Sequence, residues 1–196
     1  MFMVVSAPSG TGKTSILREV LKKCPNLRFS VSCTTRPPRP GEKDGKDYYF
    51  IADDAFRERI KQGEFVEWEE YSGYLYGTSK KTMHTFMEDG FDLILDIEIR
   101  GAKSLKNQYP GGVFVFVLPP SLDELKRRLS KRGADEAVMV EKRLSRALDE
   151  IRESSWYDYI IFNDRLETAI DQFVSIYVAE KNKRERVAAR IEDFFT

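Results

Sequence analysis

Ala7-Pro-Ser-Gly-Thr-Gly-Lys-Thr14 follows the apolar run Phe2-Met-Val-Val5 and precedes Ser15-Ile-Leu-Arg-Glu-Val-Leu-Lys22, whose apolar residues recur at helical spacing. The succession reads as a strand, a tight loop and a helix start, the setting a phosphate-binding loop requires. Gly10 and Gly12 let successive backbone N–H groups converge on one anion. The helix N-terminus adds partial positive charge at the same place. In such a loop Lys13 reaches the outer phosphates of ATP and the Thr14 hydroxyl meets Mg²⁺. Ala7, Pro8, Ser9, Thr11 and Ser15 complete the expected ATP phosphate site. Ala7 stands where the strict pattern has its first glycine, a change the backbone accepts if φ stays negative there.

The loop sits in a chain of 196 residues, a length that suits one domain with a sizeable core. Basic and acidic residues balance at 32 each, so any polyanion site must be local, and no nucleic-acid partner is expected. His84 is the single histidine and the two cysteines, Cys24 and Cys33, lack metal-type spacing, which argues against zinc and against Ser-His or Cys-His machinery. Reduced core cysteines suit an intracellular, cytoplasmic protein. Phe2–Val5 is too short for a signal core or a spanning helix, and charges interrupt every later apolar run, so no membrane partner is expected. The choice between monomer and homo-oligomer is open.

Strand-like apolar runs recur at Phe2–Ser6, Arg28–Cys33, Phe91–Ile97, Val113–Leu118 and Tyr159–Phe162. Helical periods lie between or after them, at 13–23, 98–107, 121–131, 137–153 and 166–194. Near-continuous hydrophobicity such as Val113-Phe-Val-Phe-Val117 suits strands covered on both faces. The alternation predicts an α/β fold with a doubly wound parallel sheet and a ligand beyond the carboxyl ends of its strands. Two insertions break the rhythm. The first, about 34–90, opens with an extended, proline-rich stretch, then offers Tyr48-Tyr-Phe-Ile51, a helical 53–62, and a hairpin, Phe65–Tyr71 with Tyr74–Tyr76, turning at Ser72-Gly73. The second is the basic 126–146 region.

The first insertion carries the acceptor chemistry. Arg36 and Arg39 stand three apart in a stretch stiffened by Pro37, Pro38 and Pro40, and two guanidinium forks held this way suit a phosphate monoester. The alternative is a solvated basic loop. Tyr48 and Tyr76 can add hydroxyl donors or simply pack. Glu67, on a strand of alternating polarity, can present its carboxylate to a ligand with donor groups or face water. Asp96 ends an apolar strand, where a carboxylate can organise the Mg²⁺ shell or make a structural hydrogen bond.

Ser30-Val-Ser-Cys-Thr-Thr-Arg-Pro-Pro-Arg-Pro-Gly41, Gly45-Lys-Asp-Tyr48, Glu64-Phe-Val-Glu-Trp68, Tyr76-Gly-Thr78 and Leu95-Asp-Ile-Glu98 together resemble the guanylate kinases, in the family's order and through nearly the whole chain. The resemblance implies Mg²⁺-dependent phosphoryl transfer from ATP to GMP, and to dGMP, within purine nucleotide metabolism. It implies a core (1–33, 91–125 and 147–196), a GMP-binding lobe (34–90) and a lid (126–146). Arg36, Arg39, Tyr48 and Tyr76 would hold the GMP phosphate. Ser32, Glu67, Thr78 and Glu98 would surround guanine, with Asp96 beside them. Thr78 stands where the family often has Ser, and Glu98 where it often has Asp. Arg128, Arg132 and Arg143 would close over the phosphates, and Asn163-Asp164 would border adenine. The catalytic set is then Lys13, Arg36, Arg132 and Arg143. The resemblance leaves two rivals, a kinase for another nucleoside monophosphate and a related module that binds protein partners without catalysis.

Overall fold

The computed structural model describes residues 1–131 and 137–195. In chain order the elements are β1 (Phe2–Ser6), α1 (Lys13–Lys23), β2 (Leu27–Phe29), β3 (Cys33–Thr34), β4 (Tyr49–Phe50), α2 (Asp53–Lys61), β5 (Phe65–Tyr71), β6 (Tyr74–Ser79), α3 (Lys80–Glu88) and β7 (Asp92–Asp96). They continue with α4 (Ile99–Gln108), β8 (Val113–Leu118), α5 (Leu122–Lys131), α6 (Ala137–Arg152), β9 (Tyr159–Phe162), α7 (Leu166–Lys181) and α8 (Arg184–Glu192), with a short 3₁₀ turn at Glu153–Trp156.

The strands form two sheets. The first is parallel throughout, in the order β2-β7-β1-β8-β9. Its central strands are apolar on both faces because helices cover both. Met3, Val5, Val115 and Val117 pack against Ile16, Leu17, Val20 and Phe173 on one side. Phe2, Val4, Phe114 and Phe116 pack against Ala102 and Leu105 on the other. Each alternate residue therefore serves a different half of the core, as the period of a strand demands. The second sheet, β4-β3-β6-β5, pairs β3 with β4 in parallel and the rest antiparallel. Its own small core is Cys33, Phe56, Phe65 and Leu75, with the Phe56 and Phe65 rings stacked at 4.5 Å. The hairpin turn uses Ser72 (φ 53°) and Gly73 (φ 81°), the two left-handed residues of a tight turn that follows strand twist.

The run 28–33 is not one strand. The chain leaves the first sheet after Phe29, with the Ser30 N–H still donating to Ile94 O, and joins the second sheet at Cys33. The helical run 166–194 is two helices. Asn182 ends α7 and folds its side-chain amide onto Val178 O, after which Lys183 is extended and α8 begins. Helix α3 adds an element to the first insertion, started by the Ser79 hydroxyl accepting from Thr82 N. No helix among the described residues is long and apolar enough to cross a membrane.

Candidate active site

The loop between β1 and α1 is shaped by Gly10 (φ 89°) and Gly12 (φ 92°). Gly12 has a second constraint, because a Cβ there would lie 2.3 Å from Asn163 Nδ2. That amide donates to Thr11 O at 2.7 Å, and Arg128 donates through Nη1 to Thr11 O and through Nη2 to Asn163 O, both at 3.1 Å. Asn163 and Arg128 thus brace the loop from behind. Ala7 is buried and keeps φ out of the positive region, where Ser72 is the one non-glycine among the described residues.

The loop opens onto a cavity of about 250 Å³ at the carboxyl ends of β1 and β7, where a parallel sheet places its ligands. Residues 7–14 form one wall; Asp96, Ile97 and Glu98 form the floor; Ser32, Arg36, Arg39, Tyr48, Glu67 and Tyr76 reach in from the second sheet. Two sequence-distant groups are thereby brought to one volume. Ser15 is exposed on the first turn of α1, outside the wall. Asp164 is also exposed, and Arg143 lies half-buried on α6 beyond the wall. Arg132 lies outside the described residues.

Charge is paired at the phosphate-facing end. Lys13 is hydrogen-bonded through Nζ to Asp96 Oδ1. Burial pushes the Lys13 ammonium down, but Asp96 and Glu98 more than offset it, so its pKa is raised. Arg36 Nη2 donates to Glu42 Oε1 at 2.8 Å and Nη1 to Pro37 O at 2.8 Å, and its guanidinium sits 5.3 Å from the centre of the Tyr48 ring. The hydrogen bond from Arg36 holds the Glu42 carboxyl below its usual range. The other Glu42 oxygen accepts from Arg39 N at 2.7 Å. Tyr48 meets Tyr76 edge-on, and burial drives its hydroxyl up to about 12, so it is a donor at neutral pH.

The opposite end is acidic and largely buried. Glu67 Oε1 accepts from the Thr78 hydroxyl at 2.6 Å, in a site that leaves the residue 8% exposed. Burial raises the Glu67 carboxyl to about 7 and Glu98 likewise to about 7. Thr78 is buried behind Glu67 and stays off the wall, so its contact is with the carboxylate. A pair of acids held this way can present two acceptors to a planar donor edge once ionised.

A family model described as guanylate kinase matches residues 1–180. The chain is 58% identical to the guanylate kinase of Syntrophus aciditrophicus over 191 residues, covering 97% of this chain and 92% of that one. It is 50% identical to the guanylate kinase of Geobacter metallireducens, covering 98% and 95% respectively. The crystal structure of guanylate kinase from Anaplasma phagocytophilum superposes with a TM-score of 0.78 at 32% identity, covering 97% of this chain and 95% of that one. The chain belongs to the guanylate kinase family.

In this member of the guanylate kinase family, sequence reading misses Glu42, Glu69, Tyr71 and Gly101. Glu42 follows Arg36 and Arg39 at the same three-residue step, which is a readable signal for a carboxylate that orders both. Glu69 and Tyr71 share a strand face with Glu67 and line the same cavity. Gly101 is set by contact: a Cβ there would lie 2.4 Å from Glu67 Oε2. For Mg²⁺, Thr14 and Asp96 supply one hydroxyl and one carboxylate at the cavity. Among the described residues no group of three or more acidic, histidine or cysteine side chains could cage a metal. That sparse oxygen set fits a cation held mainly by nucleotide phosphates and water.

Proposed function

We propose that this chain transfers the γ-phosphoryl group of ATP to GMP, and to dGMP, giving ADP and the corresponding diphosphate in cytoplasmic purine nucleotide metabolism. One observation carries the reading: a phosphate loop, an arginine pair and Glu67, backed from behind by Thr78, share one cavity. The family assignment supports it. In this reading residues 1–33, 91–125 and 147–196 are the core, 34–90 bind GMP, and 126–146 form a lid that carries Arg132. The two buried, unpaired cysteines suit a reducing compartment.

The mechanism follows from charge. The loop N–H groups and Lys13 hold the β- and γ-phosphates of ATP, so Lys13 exchanges Asp96 for phosphate oxygen. Mg²⁺ bound with ATP would be held by Thr14 and Asp96 and would neutralise phosphate charge. Arg36 and Arg39 hold the GMP phosphate and aim one of its oxygens at the γ-phosphorus. That oxygen is ionised near neutral pH, so no general base is required. A P–O bond forms from it to the γ-phosphorus. The bond from the γ-phosphorus to the bridging oxygen breaks, and its electron pair leaves with ADP. Arg132 and Arg143 add positive charge on closure. Closure also excludes water, which would otherwise accept the phosphoryl group. Glu67, backed by Thr78, accepts from guanine N1–H and the 2-amino group, while adenine would leave the carboxylate unmatched.

The test is ADP formation from Mg·ATP with GMP, AMP, CMP and UMP offered separately, beside Lys13→Ala. The expected outcome is turnover with GMP, little with the others, and a loss of roughly 10³-fold or more in kcat in the variant. Turnover preferring another nucleotide would keep the kinase and overturn the base assignment. GMP binding without turnover would favour a binding module.

A further inference from the structure

Helix α4 begins directly after Glu98, its N-cap residue, yet the Glu98 side chain accepts no hydrogen bond from the helix. A helix start leaves N–H groups in need of acceptors. Ala102 N is satisfied by Glu98 O at 2.9 Å. The Gly101 N–H, which a capping side chain would ordinarily take, donates instead to Glu69 Oε2 at 3.1 Å. The cap therefore comes from another element, strand β5 of the second sheet. Glu69 is well placed for it, with its side chain 16% exposed. Glu67 lies two residues earlier on the same strand face, its carboxylate directly over Gly101. Two carboxylates of one strand face thus bear on the first turn of α4.

We propose that Glu69 is a positioning residue for guanine recognition: by capping α4 from β5, it leaves the Glu98 carboxylate in the cavity and fixes it relative to Glu67. Without Glu69 the Gly101 N–H and the positive end of the helix lack their acceptor. Glu98 is the acid at the N-cap itself, and its side chain then turns onto that N–H. Its carboxylate is withdrawn from the base, and guanine loses one of two acidic neighbours. Glu69 acts through Glu98 and touches neither phosphate. The inference rests on the GMP reading above.

Steady-state kinetics of Glu69→Ala and Glu69→Asp test it, because aspartate keeps the charge but is one methylene too short to cap. Both are expected to raise KM for GMP about tenfold, with kcat and KM for ATP within about twofold. Glu69→Gln keeps an acceptor oxygen and is expected within about threefold of the parent. The decisive arm is the cycle with Glu98→Gln. In that background Glu69→Ala should change KM for GMP by less than about twofold, because its effect is already spent. Independent, multiplying effects would overturn the proposal, as would a lowered melting temperature with unchanged KM for GMP, the mark of a purely structural cap. If Glu69→Ala does not fold, Glu69→Asp and Glu69→Gln decide by the same KM criterion. A parent that does not phosphorylate GMP overturns the functional reading and this inference together; a parent that does, with additive variants, overturns the inference alone.

Discussion

At the phosphate end of the cavity two cations lean on carboxylates of the chain, Lys13 on Asp96 and Arg36 on Glu42. At the base end Glu67 leans on a neutral hydroxyl, and burial above all governs both Glu67 and Glu98. Under the proposed function the two ends would therefore receive GMP differently. A phosphate exchanges one anion for another around cations that stay charged. A guanine edge, made of donors, asks two acids near pKa 7 to give up their protons. Phosphate binding is then an exchange of ion pairs, while base binding is linked to proton release. Under the proposed function, catalytic power belongs to the first end and selectivity to the second.

The comparison breaks most visibly at Arg39, a wall residue of the phosphate end whose backbone is tied to Glu42. Arg39→Met is expected to raise KM for GMP about 100-fold, the scale of a charge-assisted phosphate contact, while KM for ATP is spared. Initial-rate kinetics with each substrate varied in turn measures both, and unchanged GMP kinetics would remove Arg39 from the site. A somewhat smaller effect is expected at the base end. Glu67→Gln replaces a two-oxygen acceptor with an amide whose N–H₂ opposes guanine donors. The ratio of kcat/KM for GMP over AMP should fall by about 30-fold, through the GMP value. A retained ratio would place the readout on other groups.

The phosphate loop was legible in the sequence because its chemistry is local: Gly10, Gly12, Lys13 and Thr14 lie within five positions and α1 starts on them. The parallel sheet was legible for a related reason, since strands buried on both faces must be apolar throughout, as Val113–Leu118 is. The second sheet was harder. A two-residue strand such as Cys33–Thr34 carries no period of its own, so it merged with the preceding run. The break between α7 and α8 escaped for want of glycine or proline, since Asn182 alone makes the stop. Glu69 escaped because its partner is a backbone N–H brought to it by tertiary folding, whereas Glu42 was readable from its three-residue step after Arg36 and Arg39 and was passed over. An acid on a strand is spelled the same whether it meets water or the N-terminus of α4. The role of Asn163 as a brace for Thr11 was hidden by a sequence separation of 152 positions.

Proton linkage tests the difference between the two ends most directly. Binding of GMP would be followed by titration calorimetry at pH 6.5 in buffers of different ionisation enthalpy, for the parent and for Glu67→Gln. The sign follows from the raised carboxyls. Near pH 6.5 the free protein holds protons on the acids at about 7, and guanine favours their ionised forms. Protons are then released on binding, and affinity for GMP rises as pH climbs through about 7. The GMP phosphate titrates alike in both proteins and drops out of the difference. The account predicts that the parent releases up to about one proton more per GMP than the variant, and that the difference vanishes by about pH 9. Equal proton release by the two proteins at pH 6.5 would contradict it.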